Sequence, residues 1–273
     1  MGTYVIDQNI MRRCPVESLC PSDPQADFVL PDISLVEMVK GSRWEDTMRG
    51  SLGWLKPVAH RTSLSMGVWE AIRTELDTGR PVDRISLLPT SFQPKLRLLV
   101  DALTDQAVGT PMQAHVIAEI KSFRQDLLTK EVNPVQAKSQ TEQYVALAVQ
   151  AMGPNVFKKM RSGRVSEDER FNLIRQAAHT AFLKVMSDNG KSDIDALAFL
   201  LKKPMLLRYV YLEVRHTFSW IAKGGLAGAK PDTVFNTMSD QQYVMIASFY
   251  DGLLSQDKGA ADAERDLRAL LAS

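Results

Sequence analysis

Four acidic residues stand where a carboxylate can do chemistry as well as meet solvent. A short apolar run, Tyr4–Val5–Ile6, stops at Asp7, and a second run, Gly252–Gln256, stops at Asp257. Runs of this kind read as buried strands covered on both faces. A carboxylate at the C-terminal tip of such a strand stands at the sheet edge where open α/β proteins place their sites. Glu37 lies in a helical stretch after another strand-like run, Phe28–Val29–Leu30. Ser239-Asp240-Gln241-Gln242 has the form of a capping box. That puts Asp240 in a first helical turn, where the positive end of the dipole favours its charge. Carboxylates gathered at one edge repel unless a cation neutralises them. Mg²⁺ or Mn²⁺ suits that role, being hard, octahedral and oxygen-liganded. The chemistry this points to is on phosphodiesters.

The elements that must position these acids alternate only near the two ends of the chain. Residues 3–7 read as a strand, residues 9–13 as a short helix, and 28–30 as a second strand. Asp32 N-caps a helix whose apolar face is Ile33, Val36 and Val39 and which Gly41 closes. Trp54–Ala59 reads as a third strand, demoted to an edge by Pro57. From 64 to 203 helical spacing dominates, in Ser65–Asp77, Gln93–Asp105, Pro111–Lys130, Gln136–Met152, a helix opened by the Ser166 capping box, and Ser192–Lys203. Met205–Ala222 is a further helix. A helix from Ser239 to Tyr250, a strand Leu253–Gln256 and a closing helix Ala260–Leu271 complete the pattern. The division expected is a small parallel-sheet α/β core from 1–63 and 204–273, with 64–203 as a helical insertion. No fixed-period repeat is present.

The pieces YVIDQN (Tyr4–Asn9), PDISLVEMVKG (Pro31–Gly41) and SDQQYVMIASFYDGLLSQDK (Ser239–Lys258), with the closing helix, resemble the PIN-domain nucleases. The resemblance covers about half the chain and leaves the helical insertion unmatched. Asp7, Glu37, Asp240 and Asp257 match the four acids of that family in order. Asn9 and Ser255 match its accessory polar positions, whereas Gln8 departs from the usual Thr or Ser. The resemblance implies a metal-dependent endoribonuclease in which Asp7, Asp240 and Asp257 hold Mg²⁺ or Mn²⁺ and Glu37 completes the ring. The metal would polarise a phosphoryl oxygen and generate hydroxide from water. A toxin or antiviral-defence effector acting on tRNA or mRNA fits such an enzyme, with the insertion serving substrate choice, a regulatory protein partner or a homo-oligomer.

Between 202 and 230 the chain carries Lys202, Lys203, Arg208, Arg215, Lys223 and Lys230, interleaved with Tyr209, Tyr211, His216 and Trp220. Basic and aromatic groups together suit single-stranded RNA. Arg208 and Arg215, seven apart, share a helix face that leads into the Gly-rich stretch Lys223–Lys230. Arg208, Arg215, Lys223 and Lys230 are therefore candidate substrate contacts, and the resemblance adds Asn9 and Ser255. Each acid also has a plainer reading: Asp7 and Asp257 as strand-end turn residues, Asp240 as a helix-start charge, Glu37 as a solvated helix residue. The basic stretch has one as well, as an amphipathic helix with core aromatics. Two rival functions stay open, a catalytically inactive RNA- or protein-binding adaptor and a structure-specific DNA nuclease.

The bulk numbers bound these readings. At 273 residues and 45% apolar the chain can bury a sizeable core. A net charge of +1 excludes a uniformly basic coat, so any nucleic-acid surface must be local. Cys14 and Cys20, with no second pair and no adjacent His, do not form a zinc motif. Neither GxGxxG nor GxxxxGK[ST] occurs, and the four histidines show no ligand spacing. No apolar run has the length of a membrane span and no signal-peptide pattern opens the chain, so the expected location is the cytoplasm.

Overall fold

Val5 and Ile6 are fully buried, as the central strand of a parallel sheet requires. The computed structural model describes residues 1–13, 15–19, 23–104, 111–130 and 133–273. Its strands are β1 (Thr3–Ile6), β2 (Asp27–Leu30), β3 (Thr62–Leu64) and β4 (Gly252–Leu254). They form one sheet in the order β3-β2-β1-β4, and every pairing is parallel. Val5 is paired with Val29 on one side and Leu253 on the other.

The helices are α1 (Gln8–Met11), α2 (Asp32–Lys40), α3 (Trp44–Leu55), α4 (Val68–Thr78), α5 (Phe92–Thr104), α6 (Pro111–Lys130), α7 (Pro134–Arg161), α8 (Glu167–Asp188), α9 (Asp193–Leu200), α10 (Met205–Ala222), α11 (Pro231–Ala247) and α12 (Lys258–Ala272). None among the described residues is long and apolar enough to cross a membrane. Cys14 and Cys20 lie outside the described residues, as does Asp105.

The chain divides into two compact units. The first comprises residues 1–71, 83–132 and 242–264, the second 72–82, 133–241 and 265–273. The division expected from sequence runs elsewhere: 83–132 joins the sheet unit, and 204–241 joins the helical one. The reason is packing. Leu96, Val100 and Leu103 of α5 and Val116 and Ile120 of α6 share a buried cluster with Ile6, Phe28, Leu30, Met38 and Leu52. Helix α10 instead packs on α7 and α8.

Three local expectations differ from the structure. Trp54–Ala59 is not a strand; α3 runs to Leu55 and continues as a 3₁₀ turn, Lys56–Arg61. The buried positions Leu52, Leu55 and Val58 recur every three residues, a helical rather than a strand period. The third strand follows that turn, where Thr62-Ser63-Leu64 carries little apolar signal and lies at a sheet edge. Asp32 is the first residue of α2 rather than its cap, which is Pro31. Helix α7 extends beyond Met152, but Gly153 breaks it with φ +74°, a value glycine tolerates, immediately before Pro154.

The second unit is organised on α10. Its cap residue, Pro204, has no side-chain acceptor for the first helical N–H groups. Glu75 of α4 supplies one from elsewhere in the chain. Oε1 accepts from Met205 N–H at 2.8 Å and Val82 N–H at 3.0 Å, and Oε2 accepts from Leu206 N–H at 2.9 Å. Glu75 is wholly buried, and burial raises its carboxyl while the three backbone donors draw it back. A carboxylate at a helix N-terminus is also favoured by the dipole. Further along α10, Trp220 Nε1–H donates to His216 Nε2 at 3.0 Å, both rings being buried. Burial, with Lys223 and Arg215 nearby, lowers His216 from 6.5 to about 4.

Replacing Glu75 by Ala should cost about 3 kcal/mol or more, since it orphans buried N–H groups, as read by urea unfolding. His216 gives a pH signature in the same measurement. Its folded pKa is depressed, so its contribution is complete above about pH 6.5 and lost as pH falls towards about 4. A shift of that size corresponds to on the order of 3 kcal/mol, and His216→Gln should flatten the acid limb of the stability profile.

Candidate carboxylate site at the strand tips

The order β3-β2-β1-β4 has the chain build outwards from β1 in both directions, so the tips of β1 and β4 flank the topological switch point. Asp7 and Ser255 occupy those tips. Aspartate is a poor strand residue and a good N-cap, so Asp7 ends β1 and caps α1, its Oδ1 accepting from Asn9 N–H at 2.9 Å. Ser255 Oγ–H donates to Asp7 Oδ2 at 2.6 Å. The N–H of Asp7 donates to Leu254 O at 3.0 Å. Asp7 is 2% exposed and thus fixed on both carboxylate oxygens.

Ser255 spends its proton on Asp7 and its lone pair on Asp257, whose N–H donates to Oγ at 3.0 Å. Asp257 is exposed. Its Oδ1 accepts from Ala260 N–H at 2.8 Å, at the start of α12. A Cβ on Gly259 would stand 2.9 Å from that oxygen, so a side chain there would push the Asp257 carboxylate aside. Gln8 turns inward and donates from Nε2 to Ser51 Oγ at 3.2 Å. The hydroxyl beside Asp7 comes from Ser255 instead.

Glu37 is brought to the same neighbourhood by α2. Its side chain is 8% exposed; Oε2 accepts from the Tyr243 hydroxyl at 2.7 Å, and Oε1 lies 3.6 Å from Lys40 Nζ. Burial pushes its carboxyl above the usual value of 4.5, the Tyr243 hydroxyl and Lys40 pull it back, and the charge of Asp7 pushes it up again. The buried Tyr243 phenol is raised well above its usual range, first by burial and then by Glu37, with Asp7 adding to it. Ser34 Oγ, fully buried and without a hydrogen bond, lies near that phenol but outside bonding geometry.

The structure thus brings Asp7 and Glu37 within reach of each other's charge and ties Asp257 to Asp7 through Ser255. Asp240 is not in a first turn, because α11 begins at Pro231 and carries Asp240 in its interior within the second unit. Ser239 is no cap; its hydroxyl donates back to Phe235 O at 3.1 Å. Among the described residues no three His, Cys, Asp or Glu side chains form a metal-holding group. What remains is a carboxylate pair. That donor set fits Mg²⁺, which keeps several waters and is commonly held by one or two carboxylates together with substrate phosphates.

The basic and aromatic residues of α10 are largely engaged within the fold. Arg208 is buried, donates from Nε to Lys203 O at 3.2 Å, and is lowered to about 10 by burial. Lys203 has φ +53° and donates through Nζ to Leu271 O. Arg215 Nε–H donates to Asp266 Oδ2 at 2.7 Å. Tyr211, His216 and Trp220 are core residues. Lys223, 5.0 Å above the Trp220 ring, and Lys230 are exposed, as is Asn9. Tyr243 escaped the sequence reading because nothing local marks a tyrosine 206 positions from its carboxylate partner. Its only signal was a polar-capable ring three residues after Asp240.

No protein-family model, no curated protein and no solved structure matches the chain.

The electrostatics of the pair can be read by carbon-detected NMR titration of Glu37. Its midpoint should lie above 4.5 in the wild type. Tyr243→Phe removes a stabilising donor and should move it higher; Asp7→Asn removes a repelling charge and should move it lower.

Proposed function

We propose that the sheet unit is the core of a PIN-like, metal-dependent ribonuclease, with Asp7 and Glu37 as its metal-side carboxylates. The observation that carries this reading is the pair itself: two largely buried acids, Asp7 at the tip of β1 beside the switch point of an all-parallel sheet and Glu37 on α2 raised by its charge. Such a pair is costly to maintain in a neutral site and is relieved by a divalent cation. When bound, Mg²⁺ or Mn²⁺ would supply charge to a phosphoryl oxygen and lower the pKa of a bound water.

The residues have separable roles in this reading. Ser255 and the Asn9 N–H orient Asp7, so that its oxygens are held before substrate arrives. Tyr243 fixes the orientation of Glu37 through Oε2. Glu37, raised by burial, is closer to neutral pH than a solvated glutamate and can exchange a proton in the site. Asp257 contributes mainly by anchoring the tip of β4 to α12. Lys223 and Lys230 are exposed and stay candidate phosphate contacts on the sequence pattern alone, whereas Arg208 and Arg215 serve the fold. Asp240 keeps its place as a metal-side candidate on the family pattern alone. A role in a toxin or defence system, and any regulatory partner, rests on the resemblance.

The test is cleavage of a tRNA and mRNA pool by the purified protein in Mg²⁺ or Mn²⁺, with flapped duplex DNA as competitor. Cleavage should need the metal, be abolished in Asp7→Asn, and fall roughly 10- to 100-fold in Ser255→Ala, as for a residue that orients a ligand. RNA binding that persists without cleavage and is indifferent to Asp7→Asn would instead mark a non-catalytic adaptor, and preferred cleavage of the flap a DNA nuclease.

A further inference from the structure

The second unit contains a groove that its own packing does not fill. It has a volume of about 390 Å³ and lies between α7, α8 and α10. Its origin is legible in the residues. Ala148 and Ala151 of α7 and Ala177 and Ala181 of α8 line the walls with side chains too short to meet across the gap. The result is a groove open to solvent on one side rather than a sealed cavity, wide enough to admit a small ligand. At one side Tyr144 and Leu147 are 45% and 61% exposed, although both line the groove.

The lining contains a single ionisable carboxyl, Glu213 of α10. Among the described residues no hydrogen bond or ion pair to that carboxylate is present, and its surroundings are apolar. Burial alone raises it to about 7. An unpartnered acid in an apolar wall destabilises the fold when ionised, and a Leu or Met of similar volume would pack there at no such cost. Three aromatic rings line the same groove: Tyr144, Tyr209 and Phe218. The Tyr209 phenol is raised by burial and then by the charges of Glu213 and Tyr144, which places both close to it. Aromatic faces with one carboxylate are the surroundings in which ammonium groups bind, through ring quadrupoles and a charge-assisted hydrogen bond.

We propose that the α7–α8–α10 groove binds an organic cation, an amine carried on an apolar body, with Glu213 as its counter-ion. The volume and mostly apolar lining match those of small-molecule pockets, with Glu213 the one carboxylate among a few polar groups. An anionic ligand would meet Glu213 as a like charge. A neutral apolar ligand would leave the acid further desolvated and still unpaired.

The experiment uses calorimetry on the full chain with three isosteric probes: 4-phenylbutylamine, 4-phenylbutanol and 4-phenylbutyrate. The amine should bind at least about tenfold more tightly than the alcohol, and the carboxylate should not bind. Glu213→Gln should erase the preference for the amine while keeping the alcohol. Ala181→Leu should fill the groove and abolish both, with thermal unfolding confirming that the variant is folded. Equal binding of all three probes would reduce the groove to an apolar cavity and overturn the proposal. So would an amine preference that survives Glu213→Gln, or absence of binding by the wild type.

Discussion

Asp7 is tied to two segments that lie far apart in the chain. One oxygen holds the N–H that opens α1, and the other holds the hydroxyl at the tip of β4, 248 positions away. The parallel pairing of β1 with β4 makes this contact possible, since parallel strands bring like ends together at one edge. Without that pairing Ser255 would not reach Asp7, and Asp257 would lose the acceptor for its N–H. Glu37 then arrives on α2, the helix that follows β2, and the charge of Asp7 raises it further. The candidate site is a consequence of sheet order before it is a consequence of any single residue.

The second unit rests on a different carboxylate with a different task. Glu75 is buried and saturated by backbone donors, and it closes the N-terminus of a helix whose own cap is a proline. Glu37 has one hydroxyl donor and a lysine at its edge, and a like charge nearby. Glu213 has no hydrogen-bond or ion-pair partner among the described residues. All three are raised by burial, so the shift alone does not separate structural from functional acids. The number and kind of donors does: a fully satisfied carboxylate is a fastener, and an unsatisfied one is open to a ligand.

Where residues announce themselves locally, the sequence was a good guide. Tyr4–Ile6, Phe28–Leu30, the Ser166 cap and the span Met205–Ala222 all appear as read, because β-branched and apolar runs, caps and periodicity act over a few residues. The failures come from competition between local signals and tertiary context. Ser239-Asp240-Gln241-Gln242 has the letters of a cap, yet α11 already begins at Pro231 and runs straight through it. Trp54–Ala59 looks extended until the buried spacing of Leu52, Leu55 and Val58 is seen. Arg208 and Arg215 look like phosphate contacts because nothing in a single sequence tells that Lys203 O and Asp266 are waiting for them. Tyr243 and Glu75 act across the fold and leave no local mark.

The central claim is that Asp7 and Glu37 form a site for a divalent cation. Titrating the labelled protein with Mn²⁺ and following paramagnetic broadening tests it without requiring turnover. The account predicts that resonances of Asp7, Glu37, Ser255 and Tyr243 broaden first, and that Asp7→Asn combined with Glu37→Gln removes the effect. Broadening that begins elsewhere, or is unchanged in the double variant, would contradict it.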